Sequence, residues 1–159
     1  MKDEIKEFWT RYLDSQDRDL SQAHIEVSIA GNEDNADELL ALFLTGKKTA
    51  GSGLVKDYKL AGDELPIVGQ FWVILDSNGS AKCIVETVRV EVNVFANITE
   101  EIARAEGEGD QSVSYWKKAH RDFFTPYLND WGITDLDQEE VVTEFYNVVF
   151  KQLLCPHPF

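Results

Sequence analysis

The sequence is poor in cysteine, in basic charge and in long apolar runs. Its two cysteines, Cys83 and Cys155, lie far apart and share no metal-ligand spacing, so neither a disulfide framework nor a metal site is expected. No apolar stretch approaches the ~20 residues that a bilayer span needs. Lysine and arginine number 15 against 29 aspartates and glutamates, giving a formal net charge of -14. That balance disfavours a sequence-blind grip on duplex nucleic acid, which depends on many cationic contacts to phosphate. A local basic cleft stays compatible with it. The N-terminal "MKDEIKEFWTRYLDS" is charged and helical in pattern, unlike a secretory leader. These features read as a cytoplasmic protein with reduced thiols and no membrane partner.

What is present suits one globular domain over residues 1–159, with 43% hydrophobic residues to build its core. Ile5, Phe8, Trp9, Tyr12 and Leu13 mark residues 3–14 as an amphipathic helix. "AHIEVSIAG" (23–31) alternates like a strand, and Asn32 or Asn35 is placed to cap the helix "ADELLALFLTG", which stops at Gly46. "TAGSGLVKDYKL" reads as an irregular strand. Strands then flank a turn at Asn78-Gly79, "ITEEIARAEG" is a short helix, "SVSYWKKAHRDFF" a longer one, and "EEVVTEFYNVVFKQLL" a late strand. No repeat or linker interrupts the chain. Strands broken by helices, with few strand–helix–strand crossovers, predict a mostly antiparallel α+β domain: a small β-barrel flanked by helices.

Two segments depart from plain packing. "TGKKTAGSG" (45–53) has the ingredients of a phosphate loop, but a Walker-type loop needs Gly, four residues, then Gly-Lys-Ser/Thr between a strand and a helix. Here Ala41 takes the first glycine position, Lys48 follows Gly46-Lys47, and a helix precedes the turn. Spacing and context both exclude a nucleotide-triphosphate loop. From Thr45 to Leu60 the local charge is +3, whereas from Gly31 to Leu40 it is -4, so the basic island is confined to this turn and the strand after it. On spacing alone, Lys47 and Lys48 complement the dipole at a helix C-terminus.

In "AEGEGDQS" (105–112), Glu106, Glu108 and Asp110 alternate with Gly107 and Gly109. The twelve-residue calcium loop needs Asp first and Glu last, and neither frame fits. Asp110 and Ser112 read as caps of the next helix. Glu106 and Glu108 either project into solvent or, freed by the glycines, face a ligand. Trp116, His120, Phe123 or Phe124, Tyr127 and Trp131 form a helical stripe of the kind that usually packs in a core, with His120 on or near it. Thr125-Pro126 is placed to end this helix and start another. His24 and His157 have no neighbours in sequence that suggest chemistry.

Taken together, Gly-x-Lys-Thr after a helix and Glu-Gly-Glu-Gly-Asp before Tyr-Trp-Lys-Lys-x-His with Phe-Phe resemble the ASCH domain, in the bacterial branch that carries this acidic loop and aromatic helix. The resemblance covers about residues 20–152, leaving 1–19 as an N-terminal helix against that core. It implies a PUA-like β-barrel with a cleft edged by the lysine turn, and no cofactor. It also implies RNA binding or hydrolysis, since family members include a ribonuclease and an amidohydrolase that deacetylates N-acetylcytidine. The amidohydrolase's lysine falls on Lys48 and its glutamate on Glu108, while its threonine falls on Gly51. On a regular strand Thr49 shares the face of Gly51, ~7 Å away, and Ser52 points to the other side.

The expected catalytic residues are therefore Lys48, Glu108 and Thr49. Lys47, Gly51, Ser52, Glu106, Tyr115, Trp116 and His120 are expected to bind substrate. The acidic surface favours a small nucleoside-like ligand, with short single-stranded RNA on the Lys47–Lys59 island as the alternative.

Overall fold

The computed structural model describes residues 1–153; Cys155 and His157 lie outside the described residues. Helix α1 (Asp3–Asp14) buries Ile5, Phe8, Trp9 and Tyr12. Strand β1 (Ile25–Ile29) leads to α2 (Ala36–Leu44), β2 (Ala50–Leu54), α3 (Val55–Ala61), β3 (Phe71–Leu75) and β4 (Ala81–Val94). The chain continues as α4 (Glu100–Glu106), α5 (Val113–Phe124) and β5 (Glu140–Lys151).

The five strands form one curled, half-barrel sheet in the order β1-β3-β4-β5-β2. Every pairing is antiparallel except that of β1 with β3. The register between β4 and β5 shifts at Ile84/Val85 and again at Thr87/Arg89. Such bulges add local twist, which lets these long strands curl. Curling brings β1 and β2, the two edges of the order, towards one concave side.

Helices cover the sheet in three packed groups. The rings of α1 meet Phe71 and Phe150, with Phe8 edge-on to Phe150 at 5.1 Å. Phe43 of α2 packs with Ile74, Val85 and Tyr146. Trp116 and Phe124 of α5 pack with Phe95, Ile102 of α4 and Leu54. The stripe on α5 is thus only partly core, because Phe123 and Tyr127 are 43% and 47% exposed.

Two local expectations are corrected. "TAGSGLVKDYKL" is a strand only to Leu54; Val55–Ala61 is helical and ends at Gly62, whose φ of 75° supplies the left-handed cap. Thr125 does not open a new α-helix: it stays right-handed, its hydroxyl donates back to the Arg121 carbonyl, and the chain tightens into a 3-10 turn. Asn35 occupies the cap position of α2, but its side chain accepts from the backbone N–H of Asn32 at 2.8 Å instead. Ser112 does cap α5, accepting from the N–H of Tyr115 at 3.0 Å.

Candidate functional site

After α2, Gly46 turns the chain with φ 77° and delivers residues 47–49 onto the end of α4. The N–H of Thr49 donates to the Ala105 carbonyl at 2.6 Å, and its own carbonyl accepts from Tyr146 of β5 at 2.8 Å. The contact is close enough to require glycine at 107. A Cβ there would stand 2.2 Å from the Lys47 carbonyl oxygen, and the residue has φ 71°. This crossing sets Lys48 directly over Glu106.

Both side chains are buried, at 7% exposure for Lys48 and 3% for Glu106. Lys48 Nζ lies 3.3 Å from Glu106 Oε2 and 3.1 Å from Glu108 Oε2, and it donates to the Glu106 carbonyl at 3.3 Å. The other carboxylate oxygen of Glu106 accepts from the Ser52 hydroxyl at 2.5 Å and from Trp116 Nε1 at 2.8 Å. His120 Nε2 is 3.4 Å from Oε2. Burial alone opposes ionisation of Glu106. The charge of Lys48, followed by His120 and Ser52, outweighs it and brings the carboxyl to about 2. Glu106 is thus a fixed anion that accepts from Lys48, Ser52 and Trp116, with His120 beside it.

Those donors are themselves positioned. His120 stacks on Trp116 at 3.9 Å and 17°, with Nδ1 2.8 Å from the Trp116 carbonyl. The Ser52 hydroxyl is also 2.8 Å from that of Thr143 on β5. Glu108 differs from Glu106 in being 26% exposed, so it is the carboxylate at Lys48 that faces open space.

That space is a cleft of ≈ 390 Å³. Lys48, Ser52, Glu106 and Glu108 form one end, Tyr115 and Phe123 of α5 rise beside it, and Leu39 and Phe43 provide apolar surface. The far wall carries Glu26 of β1, Tyr58 of α3, Trp72 of β3, and Glu144 and Tyr146 of β5. Burial raises the Glu144 carboxyl, the neighbouring Glu26 adds to this, and hydrogen bonds from Thr87 (2.7 Å) and Tyr146 offset only part of it. Burial likewise pushes Tyr58 up to about 12 and Tyr146 well above the ordinary phenol range, each reinforced by Glu144.

Among the residues singled out from the sequence, the fold brings Lys48, Gly51, Ser52, Glu106, Glu108, Tyr115 and His120 to the cleft. Trp116 stands behind it, buried and bonded to Glu106. Two others lie elsewhere. Lys47 is exposed and only its backbone touches the site, against Gly107. Thr49 is also exposed, and its hydroxyl donates to the Ala105 carbonyl at 3.3 Å. The regular-strand expectation for Thr49 fails because β2 starts at Ala50, so the hydroxyl that reaches the buried charges is that of Ser52. At Gly51 a Cβ would meet Tyr146 at 3.5 Å, an ordinary contact.

The far wall was missed. Glu26 and Glu144 occupy alternate positions in their strands, "HIEVSI" and "VTEFYN", and alternation alone assigns such residues to a solvated face. The one signal was an isolated glutamate between aromatic and β-branched neighbours on β5.

Comparison with solved structures supports the fold over nearly its whole length. An ASCH domain from Lactobacillus crispatus JV V101 superposes with a TM-score of 0.83 at 32% identity, over 94% of this chain and 96% of that one. A protein from Enterococcus faecalis V583 gives 0.81 at 27% identity, over 93% and 89%. A sequence search of curated proteins finds no match. The family model described as ASCH domain matches residues 26–150, the interval that holds the whole cleft. This chain belongs to the ASCH domain family, with that family's PUA-like fold.

Proposed function

We propose that the cleft binds a small nucleoside-like or nucleobase ligand and hydrolyses an amide-linked acyl group on it. The observation that carries this reading is the buried Lys48, held between Glu106 and Glu108 at the end of a ≈ 390 Å³ cleft beside exposed aromatic rings. Pockets of about 300–1,000 Å³ suit small molecules. Tyr115 and Phe123, 40% and 43% exposed, offer ring faces on which a base can stack.

The chemistry assigns different tasks to the two glutamates. Glu106 is saturated by donors and ionised at about 2, so it anchors Lys48 and does not exchange protons near neutrality. Glu108 has solvent access and serves as general base for a water. Water oxygen bonds to the acyl carbon while Glu108 takes its proton; the neutralised Glu108 releases the Nζ–H that it held, and Lys48 turns that donor to the developing oxyanion. The C–N bond then breaks, the nitrogen takes the proton back from Glu108, and carboxylic acid and free amine leave. Ser52 donates to Glu106 and is paired with Thr143, so it holds Glu106 rather than attacking.

The same geometry weighs against an RNA-binding island. Lys48 is sequestered by two carboxylates and Lys56 faces Glu139 at 3.7 Å, which leaves Lys47 and Lys59 as the cations of that stretch without an ion pair among the described residues.

A mass-spectrometric turnover screen of acylated nucleosides tests the reading, with Lys48→Ala, Glu108→Gln and Gly51→Thr alongside the wild type. Product from the wild type, lost in Lys48→Ala and Glu108→Gln, is expected. Gly51→Thr measures whether a hydroxyl at that position helps or merely fills the cleft. No turnover together with salt-steep binding of short RNA would overturn the proposal.

A further inference from the structure

The cleft contains one lysine and four glutamates, namely Glu26, Glu106, Glu108 and Glu144. Lys48 is paired with Glu106 and Glu108 at one end. At the other end neither Glu26 nor Glu144 has an ion-pair partner among the described residues. Glu26 is exposed, whereas Glu144 is half-buried between Tyr58 and Tyr146. Trp72 sits opposite Glu26 in the β1–β3 register.

Space continues past these residues. A second hollow of ≈ 700 Å³ shares Glu26, Tyr58, Trp72, Glu144 and Tyr146 with the cleft. It adds Asp57, Asp63 and Glu64 together with His24, and no lysine or arginine lines it. A ligand that starts at Lys48 and extends beyond the cleft therefore enters surroundings in which carboxylates outnumber the one histidine. Phosphate or carboxylate on that part of the ligand would be repelled. An ammonium would meet two carboxylates beside the aromatic rings of Tyr58, Trp72 and Tyr146, groups of the kind that recognise organic cations.

We infer that the far wall formed by Glu26, Glu144, Trp72, Tyr58 and Tyr146 is a subsite for a cationic amino group, so that the preferred ligand is a nucleoside-like amide whose acyl or alkyl arm ends in an ammonium. This deepens the proposed function of the cleft and rests on it for the nucleoside part alone. A cation there removes the repulsion between Glu26 and Glu144, which contributes to the raised carboxyl of Glu144.

Equilibrium binding by calorimetry, with Glu108→Gln as the parent protein throughout so that the probes are not hydrolysed, separates the two ideas with three probes: N4-hexanoylcytidine, N4-(6-aminohexanoyl)cytidine and 6-aminohexanamide. The first two differ by a terminal ammonium, and the third lacks the nucleoside. This parent is expected to prefer the aminohexanoyl nucleoside over its neutral analogue by about tenfold. That ratio should shrink towards one in Glu26→Gln/Glu144→Gln, and also as salt rises from about 0.05 to about 0.5 M. Equal binding of the two nucleosides by the Glu108→Gln parent overturns the cationic subsite and leaves the nucleoside cleft standing. Binding of 6-aminohexanamide alone, lost in the double variant, keeps the subsite and overturns the nucleoside cleft. No binding of any probe overturns both.

Discussion

Glu106 and Glu144 are the same residue type lining one cleft, and their surroundings drive them in opposite directions. Glu106 is the more deeply buried, yet its carboxyl is brought down to about 2, because the charge of Lys48, followed by His120 and Ser52, favours its anion. Glu144 keeps some exposure, yet its carboxyl is raised, because it meets Thr87 and Tyr146 but no cation, with Glu26 nearby. Burial pushes both the same way, and the donors decide the outcome. One wall is therefore a finished electrostatic structure. The other lacks a positive charge that a ligand can supply.

The largest effect should come from breaking the finished wall. Glu106→Leu leaves Lys48 buried with only Glu108, and removing one partner of a buried pair typically costs about 3–5 kcal/mol. Denaturant unfolding measures it, and a loss under about 1 kcal/mol would mean that the wall is not anchored by this pair. Ser52→Ala removes one donor to an ionised carboxylate and should cost about 1.5–3 kcal/mol by the same measurement.

Acid should distinguish the walls by sign. The folded-state value of Glu106 lies below its ordinary 4.5, so its ionisation favours the fold above about pH 4.5 and that contribution is lost as pH falls towards about 2. Glu144 is shifted upwards, so its contribution is full in acid and is lost as pH rises through its elevated value. Thermal unfolding across acid pH should show a fall in the wild type that Glu106→Gln flattens. The smallest effect belongs to Glu144→Gln. At neutral pH it should raise stability by less than about 1 kcal/mol, since it removes a disfavoured charge. A marked loss would show that Glu144 is already paired and would remove the contrast between the walls.

Much of the paired wall was legible in the chain. Gly46 and the glycines around Glu106 and Glu108 announced turns, and the hydroxyls and lysines after α2 marked the place where polar groups gather. The period of α5 marked a core-like stripe through Trp116 and either Phe123 or Phe124, and the fold buries Trp116, expected at the ligand, together with Phe124. The stripe's histidine was ambiguous because a helix pattern gives direction but not the partner it meets, here a carboxylate from α4. Thr49 was misplaced because one residue decides whether a strand has begun, and a backbone bond to Ala105 holds it outside β2. The acidic wall was invisible for a different reason. Its residues come from β1, α3, β3 and β5, and only the curl of the sheet makes them neighbours. The parallel pairing of β1 with β3 is equally non-local and leaves no short-range signature.

Lys48 and Glu106 are separated by 58 positions, and β2, α3, β3 and β4 all lie between them. Closing so long a loop is entropically costly until the intervening strands have paired, so this contact belongs among the last to form. Interactions made after the folding barrier slow unfolding more than they speed folding. A ligand seated across Lys48 and Glu108 would then act as a rivet driven into an assembled sheet: it would lengthen the lifetime of the native state and leave the rate of reaching it almost untouched.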